Sequence, residues 1–408
     1  MQRSTDRILT THSGSLCRPL PLLKLMRDVE LTNQPRARAL EEDTCDEVVT
    51  TAVNEVVAEQ VRIGVDIPGD GEMGRMGFSR YMPHRIDGLE RREREQGEKL
   101  PQAPAGDMKN FPYYYLHHNK IHRTMYMDPE VDISDLPNVY GTFEAYRVTG
   151  PVSYAGQHAI QRETDRLKSA LAGTGVSEAF ITCTPPTVAL GRTRDVLEHY
   201  KSEEEYLFAM ADVMREEYMA IVDAGFLLQV DYPGAAGRAR GNAEGEGRRR
   251  LIGVEALNYA LRDIPEEKIR LHYCSGSGLE PHSTNPSLRD TILPVLLEVK
   301  AQAIEIEGAS ARHEHEWMVF RDIKLPEGKI LIPGVIAHNY QVLEHPELVA
   351  WRIENWASVV GKENVIAGVD CGFSQHWDSR RTTPDVQWAK LESLVEGARL
   401  ASKKLWNN

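Results

Sequence analysis

The feature that most constrains this chain is an alternation. Short apolar runs of strand length recur between longer amphipathic stretches of helical length. The strand-like runs fall at 8–12, 65–69, 144–149, 179–183, 227–231, 269–274, 303–307, 329–334 and 365–370. The clearest helical stretch is 203–224, where Tyr206, Met210, Val213, Met214 and Met219 lie near helical spacing and charges occupy the other face. Others fall near 39–62, 253–262, 287–300, 345–360 and 384–405. Repeated β–α units of this kind build a parallel sheet with crossover helices. Nine strands are one more than a (β/α)8 barrel needs. The run 144–149 precedes a Gly150-Pro151 break and is set aside. The expected fold is α/β: a (β/α)8 TIM barrel, one domain over 1–408, with a lid-like segment inserted at about 88–140.

Composition narrows the function classes. The chain has 408 residues, 41% hydrophobic and 27% charged, enough for a large core without staples. No run reaches the ~18 apolar residues of a membrane span. The start, MQRSTDRILTTH, has no apolar signal core, so the expected location is cytoplasmic. A net charge of −13 argues against a nucleic-acid partner. Five widely spaced cysteines, Cys17, Cys45, Cys183, Cys274 and Cys371, fit reduced thiols better than a disulfide framework. The 88–140 segment carries a charge run (ERREREQGEKL) and an aromatic stretch (FPYYYLHH), and reads as a lid, an oligomer contact or a solvated loop. The stretch 232–250 (YPGAAGRARGNAEGEGRRR) follows a strand and could fold over an anionic substrate or simply be a surface loop; it matches no phosphate-loop pattern.

The sharpest chemical signal is His272-Tyr273-Cys274 at a strand end. Side chains at i and i+2 of a strand share a face, so His272 and Cys274 can converge on one ion. Alone, H-x-C is a common chance pattern. Here another strand ends in Glu305-Ile306-Glu307 and the last in Val369-Asp370-Cys371-Gly372. In a parallel barrel these ends meet at one rim, where the active sites of this fold are built. His272, Cys274, Glu307 and Cys371 would form a tetrahedral N/S/O/S set, which suits Zn²⁺ better than calcium, magnesium or manganese.

Several stretches, in fixed order, extend that reading: RILTTHSGSLCRP, GVDIPGDGEMGR, YKSEEEYLFAMADVMREEYMAIVDAGFLLQVDYP, LHYCSGS, IEIEGASARHEHEW and VIAGVDCGFS. Together they resemble the cobalamin-independent methionine synthase family in its short form, which has only the catalytic C-terminal barrel; relatives include epoxyalkane:coenzyme M transferase. The resemblance covers almost the whole chain and is weakest at 88–140 and 232–250. It implies a (β/α)8 zinc methyltransferase or alkyltransferase of methionine biosynthesis, with homocysteine as the thiol. The implied zinc ligands are His272, Cys274, Glu307 rather than Glu305, and Cys371. The implied substrate contacts are Ser13, Gly14 and Ser15, with Glu72 and Asp231 holding the amine. His338, in GVIAHNY, matches a histidine that assists proton transfer. The chain departs from the family after AFITCTPPTVALGR, where Leu190, Gly191 and Arg192 stand in place of a tryptophan that stacks on folate, and in its Gly-Arg loop after Asp231. The donor therefore stays open between folate, a methylated corrinoid protein, a methylated sulfur compound and an epoxide.

The chemistry also follows from the residues. A thiol at neutral pH is mostly protonated and a poor nucleophile. A Zn²⁺ ligand removes that proton. One histidine, two thiolates and a carboxylate around Zn²⁺ carry a formal charge of −1, which favours sulfur nucleophilicity over hydrolysis. Glu307, the hardest ligand, is expected to yield to an incoming thiolate. The partners expected are thus a small thiol and an alkyl donor, with a homo-oligomer left open. Other candidates have blander readings. His313 and His315 line the site or hold the loop after Glu307. His117, His118 and His122 are surface or lid residues, and Cys17, Cys45 and Cys183 are small packing residues. Arg75 and Arg80 could pair with Glu72 or, with Arg238 and Arg240, hold a sulfonate thiol such as coenzyme M. Rival classes are a noncatalytic zinc-stabilised barrel and a tetrapyrrole decarboxylase; neither needs a soft open metal site.

Overall fold

A computed structural model describes residues 1–31, 40, 43–92, 105–117, 130–131, 145–189, 193–233, 235, 243–275, 281, 287–378 and 380–407. Among the described residues ten strands form two sheets. β1 (Leu9–Thr10), β4 (Phe180–Cys183), β6 (Leu227–Asp231), β7 (Ile269–Tyr273), β8 (Ala303–Ile306), β9 (Ile330–Ile336) and β10 (Ile366–Val369) run parallel in the order β1-β10-β9-β8-β7-β6-β4. The two edges of that sheet are joined by the expected strand at 65–69. Thr11 bridges to Ile67 and Gly69 bridges to Phe180, both parallel. Ile67 N–H donates to Thr10 O at 3.1 Å and Phe180 N–H donates to Pro68 O at 3.0 Å. Pro68 has no N–H to give, so this stave stays at isolated bridges rather than a ladder. With it the ring has eight staves, the TIM barrel expected from the alternation.

The run set aside at 144–149 does lie outside the barrel. β3 (Ala145–Tyr154) pairs antiparallel with β2 (Ile86–Arg92) and, over two residues, parallel with β5 (Thr193–Arg194). The inserted segment thus opens on this three-stranded sheet. Its described middle holds two short helices, Ala105–Asn110 and Pro112–His117. Most of the rest of 88–140, including His118 and His122, lies outside the described residues, as does much of the 232–250 loop with Arg238 and Arg240.

Asp43–Ile63, Glu203–Asp223, Pro346–Val360 and Pro384–Trp406 follow the amphipathic reading closely, whereas the helix expected at 253–262 begins ten residues earlier, as Ala243–Ala260, inside the stretch read as a loop. Ser202 caps the third barrel helix by accepting from Glu205 N–H at 3.0 Å. Its removal would cost about 1 kcal/mol. Leu20–Leu31 and Gln157–Leu171 are helices the pattern did not single out.

Period two divides the strands into an outer and an inner face. Leu228, Val230, Leu271, Ile304 and Ile306 join the large core between strands and helices. The inner face begins with an apolar plug of Leu9, Ile67, Phe180, Leu227, Ala303, Ile330, Ile332 and Ile366. Each of the larger side chains, Ala303 apart, contributes about 1.5–3 kcal/mol. Above the plug the interior turns polar, and there the register matters. Asp231 lies beside His272, and His272 beside Glu305. Gln229 lies beside Arg270 one tier below. The Arg270 guanidinium sits 4.1 Å from the Phe180 ring centroid, so it marks the floor between plug and site.

Candidate active site and metal centre

His272, Cys274 and Cys371 present ligand atoms that all lie within 4.8 Å of one another, and all three residues are buried. The Cys274 and Cys371 sulfurs are 3.5 Å apart as free thiols. β7 supplies the first two at i and i+2, and the turn after β10 supplies the third. Neither ring nitrogen of His272 makes a hydrogen bond, although Nδ1 stands 3.5 Å from Glu305 Oε2. Burial pulls the His272 imidazolium down, but the charge of Glu305 and contacts with Cys371 and Glu305 outweigh it and raise its pKa well above the ordinary value. Contact with Cys274, then burial, pushes the Cys371 thiol up. A buried imidazole without a hydrogen bond beside two free thiols suits a soft divalent ion.

Glu307 stands next to this trio but outside the 4.8 Å group. Its Oε2 accepts from Ser275 N–H, the residue after Cys274, at 2.6 Å. His313 Nε2 is 3.5 Å from the same oxygen, and His313 Nδ1 is 3.0 Å from Glu316. Glu307 Oε1 is buried with no partner. His313 therefore holds the loop after Glu307, and His315 is exposed. The adjacent Asp370 fastens that loop to the Cys371 turn: it accepts from Gly308, Ala309 and Ser310 N–H at 2.8–2.9 Å. Burial, then the Glu307 charge, pushes Asp370 up to about 7.

A second polar group lies across the mouth. Glu72 sits in a tight turn at φ 58°, a left-handed geometry that costs a non-glycine residue about 1–2 kcal/mol. Its Oε1 accepts from Thr182 Oγ1 at 3.1 Å, and its Oε2 is buried without a partner. Burial, then the Asp231 charge, lifts Glu72 to about 8. Burial lifts Asp231 to about 6. Gln229 Nε2 donates to Asp231 Oδ1 at 2.7 Å and to Ser13 O at 2.9 Å, while Gln229 Oε1 has no partner. Gly14 separates these groups. Its φ is 116°, and a Cβ there would lie 2.6 Å from Thr182 Cγ2 and 2.9 Å from Glu72 Oε1. Only glycine fits.

The structure joins the two groups through Glu305. Ser13 Oγ lies 2.7 Å from both Glu305 Oε1 and Val369 O, and Arg270 donates to Glu305 Oε2 at 3.1 Å. Burial disfavours the Glu305 charge, but Arg270 and His272 overcome it and lower its pKa. Ser15 packs on the turn after Cys371, with Phe373 N–H donating to Ser15 O at 2.9 Å. His338 is fully buried just past the end of β9 on the same rim.

Sequence reasoning passed over Glu305, Arg270, Gln229 and Asp370 as working parts. Stepping back two residues at a time from His272, Asp231 and Glu307 along the inner face finds Arg270, Gln229 and Glu305. The two arginines placed near Glu72 are otherwise engaged. Arg75 pairs with Glu163 at 2.6 Å and donates to Thr182 O at 2.8 Å, and Arg80 reaches Asp378 at 3.4 Å. No position near Glu72 in sequence announces Glu163.

No family model matches the chain. A methionine synthase of Thermococcus kodakarensis is 25% identical over 97% of this chain and 94% of its own. Bacillus subtilis YxjH, whose name assigns no activity, is 23% identical over 94% and 92%. Among solved structures, a B12-independent methionine synthase from Shewanella sp. W3-18-1, in complex with selenomethionine, superposes with TM-score 0.67 at 18% identity, covering 98% of this chain and all of that one. Sequence relatives and barrel agree, and over nearly its whole length the chain bears the resemblance its motifs carry, to the cobalamin-independent methionine synthase family in its short form.

Proposed function

We propose that this protein is a zinc-dependent transferase that moves an alkyl group, methyl foremost, onto the thiol of homocysteine or a close amino-thiol. The observation that carries the reading is the pairing of a His/Cys/Cys trio with buried carboxylates on the same rim, Asp231 lying in register with His272 on the neighbouring strand. Full-length relatives named methionine synthase support it. The trio fits a zinc ion by donor type and by an imidazole that makes no hydrogen bond. Zinc held by His272, Cys274 and Cys371, with Glu307 as fourth ligand, would keep a substrate thiol deprotonated at neutral pH.

The remaining work falls to the chain's own residues. Glu72 and Asp231, once ionised, and the free oxygen of Gln229 offer only acceptors to the site, which is what a primary ammonium requires. Ser13, Gly14 and Ser15 form the wall against which the amino acid lies. Glu307 keeps Oε2 on Ser275 N–H, and its buried Oε1, which has no partner, is the oxygen it would offer to the ion. His338 is assigned to proton transfer at the leaving atom of the donor. The engagement of Arg75 and Arg80 with other partners favours an ammonium over a sulfonate thiol. The chain is read as one barrel domain with the 88–140 insertion. No helix among the described residues is long and apolar enough to cross a membrane, and a cytoplasmic location fits reduced thiols at the site.

The test is a panel of thiols against methylfolate, methylated corrinoid, methylated sulfur compounds and epoxides, read by mass spectrometry for thioether, alongside zinc analysis of the purified protein. One zinc per chain and a methionine product are expected. A metal-free protein as purified, or alkylation independent of the amine, would overturn the reading.

A further inference from the structure

The turn that carries Cys371 also carries Gln375, whose amide nitrogen lies 3.1 Å from the Cys371 sulfur. The orientation of that amide is fixed chemically. Gln375 Oε1 accepts from Arg381 Nε at 3.1 Å and from a terminal guanidinium nitrogen at 3.0 Å. A guanidinium only donates, so the oxygen must face Arg381 and the N–H must face the sulfur. Both ends are braced. Gln375 O receives Phe78 N–H at 3.0 Å, Arg381 N–H donates to Phe373 O at 2.6 Å, and Gln341 donates to Arg381 O at 3.1 Å. Thr382 Oγ1 in turn donates to Gln341 at 2.7 Å.

A cation on the amide oxygen polarises the amide and strengthens its N–H as a donor. The donor is aimed at one of two thiolates in a ligand set of net negative charge. We infer that Gln375, polarised by Arg381, is a positioning residue that donates a charge-dispersing hydrogen bond to the Cys371 thiolate and so sets metal affinity and the electron density left on the substrate sulfur. This rests on the metal reading of the site. Among the described residues the histidine and the carboxylate are held differently: Glu305 approaches His272 without a hydrogen bond, and Glu307 is held by the Ser275 backbone N–H at 2.6 Å rather than by a side-chain amide.

The experiment uses Co²⁺ as spectroscopic probe and Zn²⁺ with a chromophoric chelator. Gln375→Glu keeps the side-chain shape and the Arg381 contact but loses the N–H; Gln375→Leu loses both; Arg381→Met leaves the amide unpolarised. Outer-shell partners of this kind are worth about 10–100-fold in metal affinity. Gln375→Leu and Gln375→Glu should each weaken Zn²⁺ at least about tenfold and move the thiolate-to-Co²⁺ charge-transfer band to lower energy, and Arg381→Met should do so by less. Unchanged band and affinity in Gln375→Glu, with the wild type showing the band, would overturn the assignment while leaving the metal site intact. Absence of any thiolate charge-transfer band in the wild type would overturn both. If Gln375→Leu fails to fold, the Gln375→Glu and Arg381→Met spectra decide the matter.

Discussion

Two buried polar clusters lie close together in this barrel, and they are finished to different degrees. In one, Glu163 receives Arg75 and Arg85, each at 2.6 Å, and Arg85 also reaches Glu217 at 3.2 Å. Tyr154 Oη donates to Glu217 at 2.6 Å, and Tyr81 stacks against both arginines. Burial works against the Glu163 charge, but the two arginines win and hold it at about 2. In the other, Glu72, Gln229, Glu307 and His272 each keep a buried polar atom without a partner, and the facing carboxylates are pushed up rather than down. Buried polar groups are nearly always satisfied in a folded chain. The first cluster is complete and belongs to the architecture that ties β2, β3 and the helix Gln157–Leu171 to the barrel. The second leaves acceptors open for the ammonium and the ion proposed above.

That contrast can be broken most sharply at the metal trio. His272→Ala or Cys371→Ser should reduce bound zinc from about one per chain to near zero and abolish turnover, with the fold retained in circular dichroism. A variant that kept full metal and full activity would remove its residue from the ligand set. At the finished cluster the outcome should be the reverse. Arg85→Met leaves Glu217 buried without its cation, so unfolding free energy should fall by about 3–5 kcal/mol in denaturant titration, with zinc content unchanged. Loss of zinc without loss of stability there would show that the two clusters are not separate.

Glu72→Gln should sharpen the comparison from the substrate side. Loss of a charged acceptor should weaken an amine-bearing thiol by about 1.5–3 kcal/mol in calorimetry and an amine-free thiol hardly at all. Equal effects on both would take Glu72 out of amine recognition. The smallest effect is the pH profile. Glu72, held at about 8 first by burial and then by the Asp231 charge, and Asp231, held at about 6 by burial, must lose protons to receive an ammonium. Affinity for the amino-thiol should therefore rise from pH 6 to 8, by at most about tenfold per unit. Without ligand the linkage has the opposite consequence. Both carboxylates have folded values above their ordinary 4.5 and 3.8, so their contribution to stability is full below those values and is lost as pH rises through 6 and then 8. A ligand-free protein with flat stability across that window would contradict the raised values.

The sequence made some of this legible. Strand expectations at 227–231 and 269–274 fall on Leu227–Asp231 and Ile269–Tyr273, and the helix expected at 203–224 is Glu203–Asp223. Period and length are local properties, so a local pattern suffices. The same holds for His272 and Cys274, which share a face because they are two residues apart on one strand. The stave at 65–69 was legible as a strand, and Pro68 within it signals a missing ladder bond, but which residues it bridges was not, since that depends on where its neighbours' carbonyls fall. The unsatisfied state of Glu72 and the satisfied state of Arg75, three residues later, were not legible, because the partner of Arg75 lies 88 residues away in another element.

What the chain determined alone was its alternation of strand and helix, the inner and outer faces of each strand, and the placing of sulfur, imidazole and carboxylate at strand ends. Those follow from periodicity and from covalent spacing. What only the closed barrel decided was adjacency between strands. Register set His272 between Asp231 and Glu305. The turn after β10 carried Cys371 to within 3.5 Å of Cys274. Burial then raised the Glu72 and Asp231 carboxylates above their ordinary values, because removal from water penalises a charge.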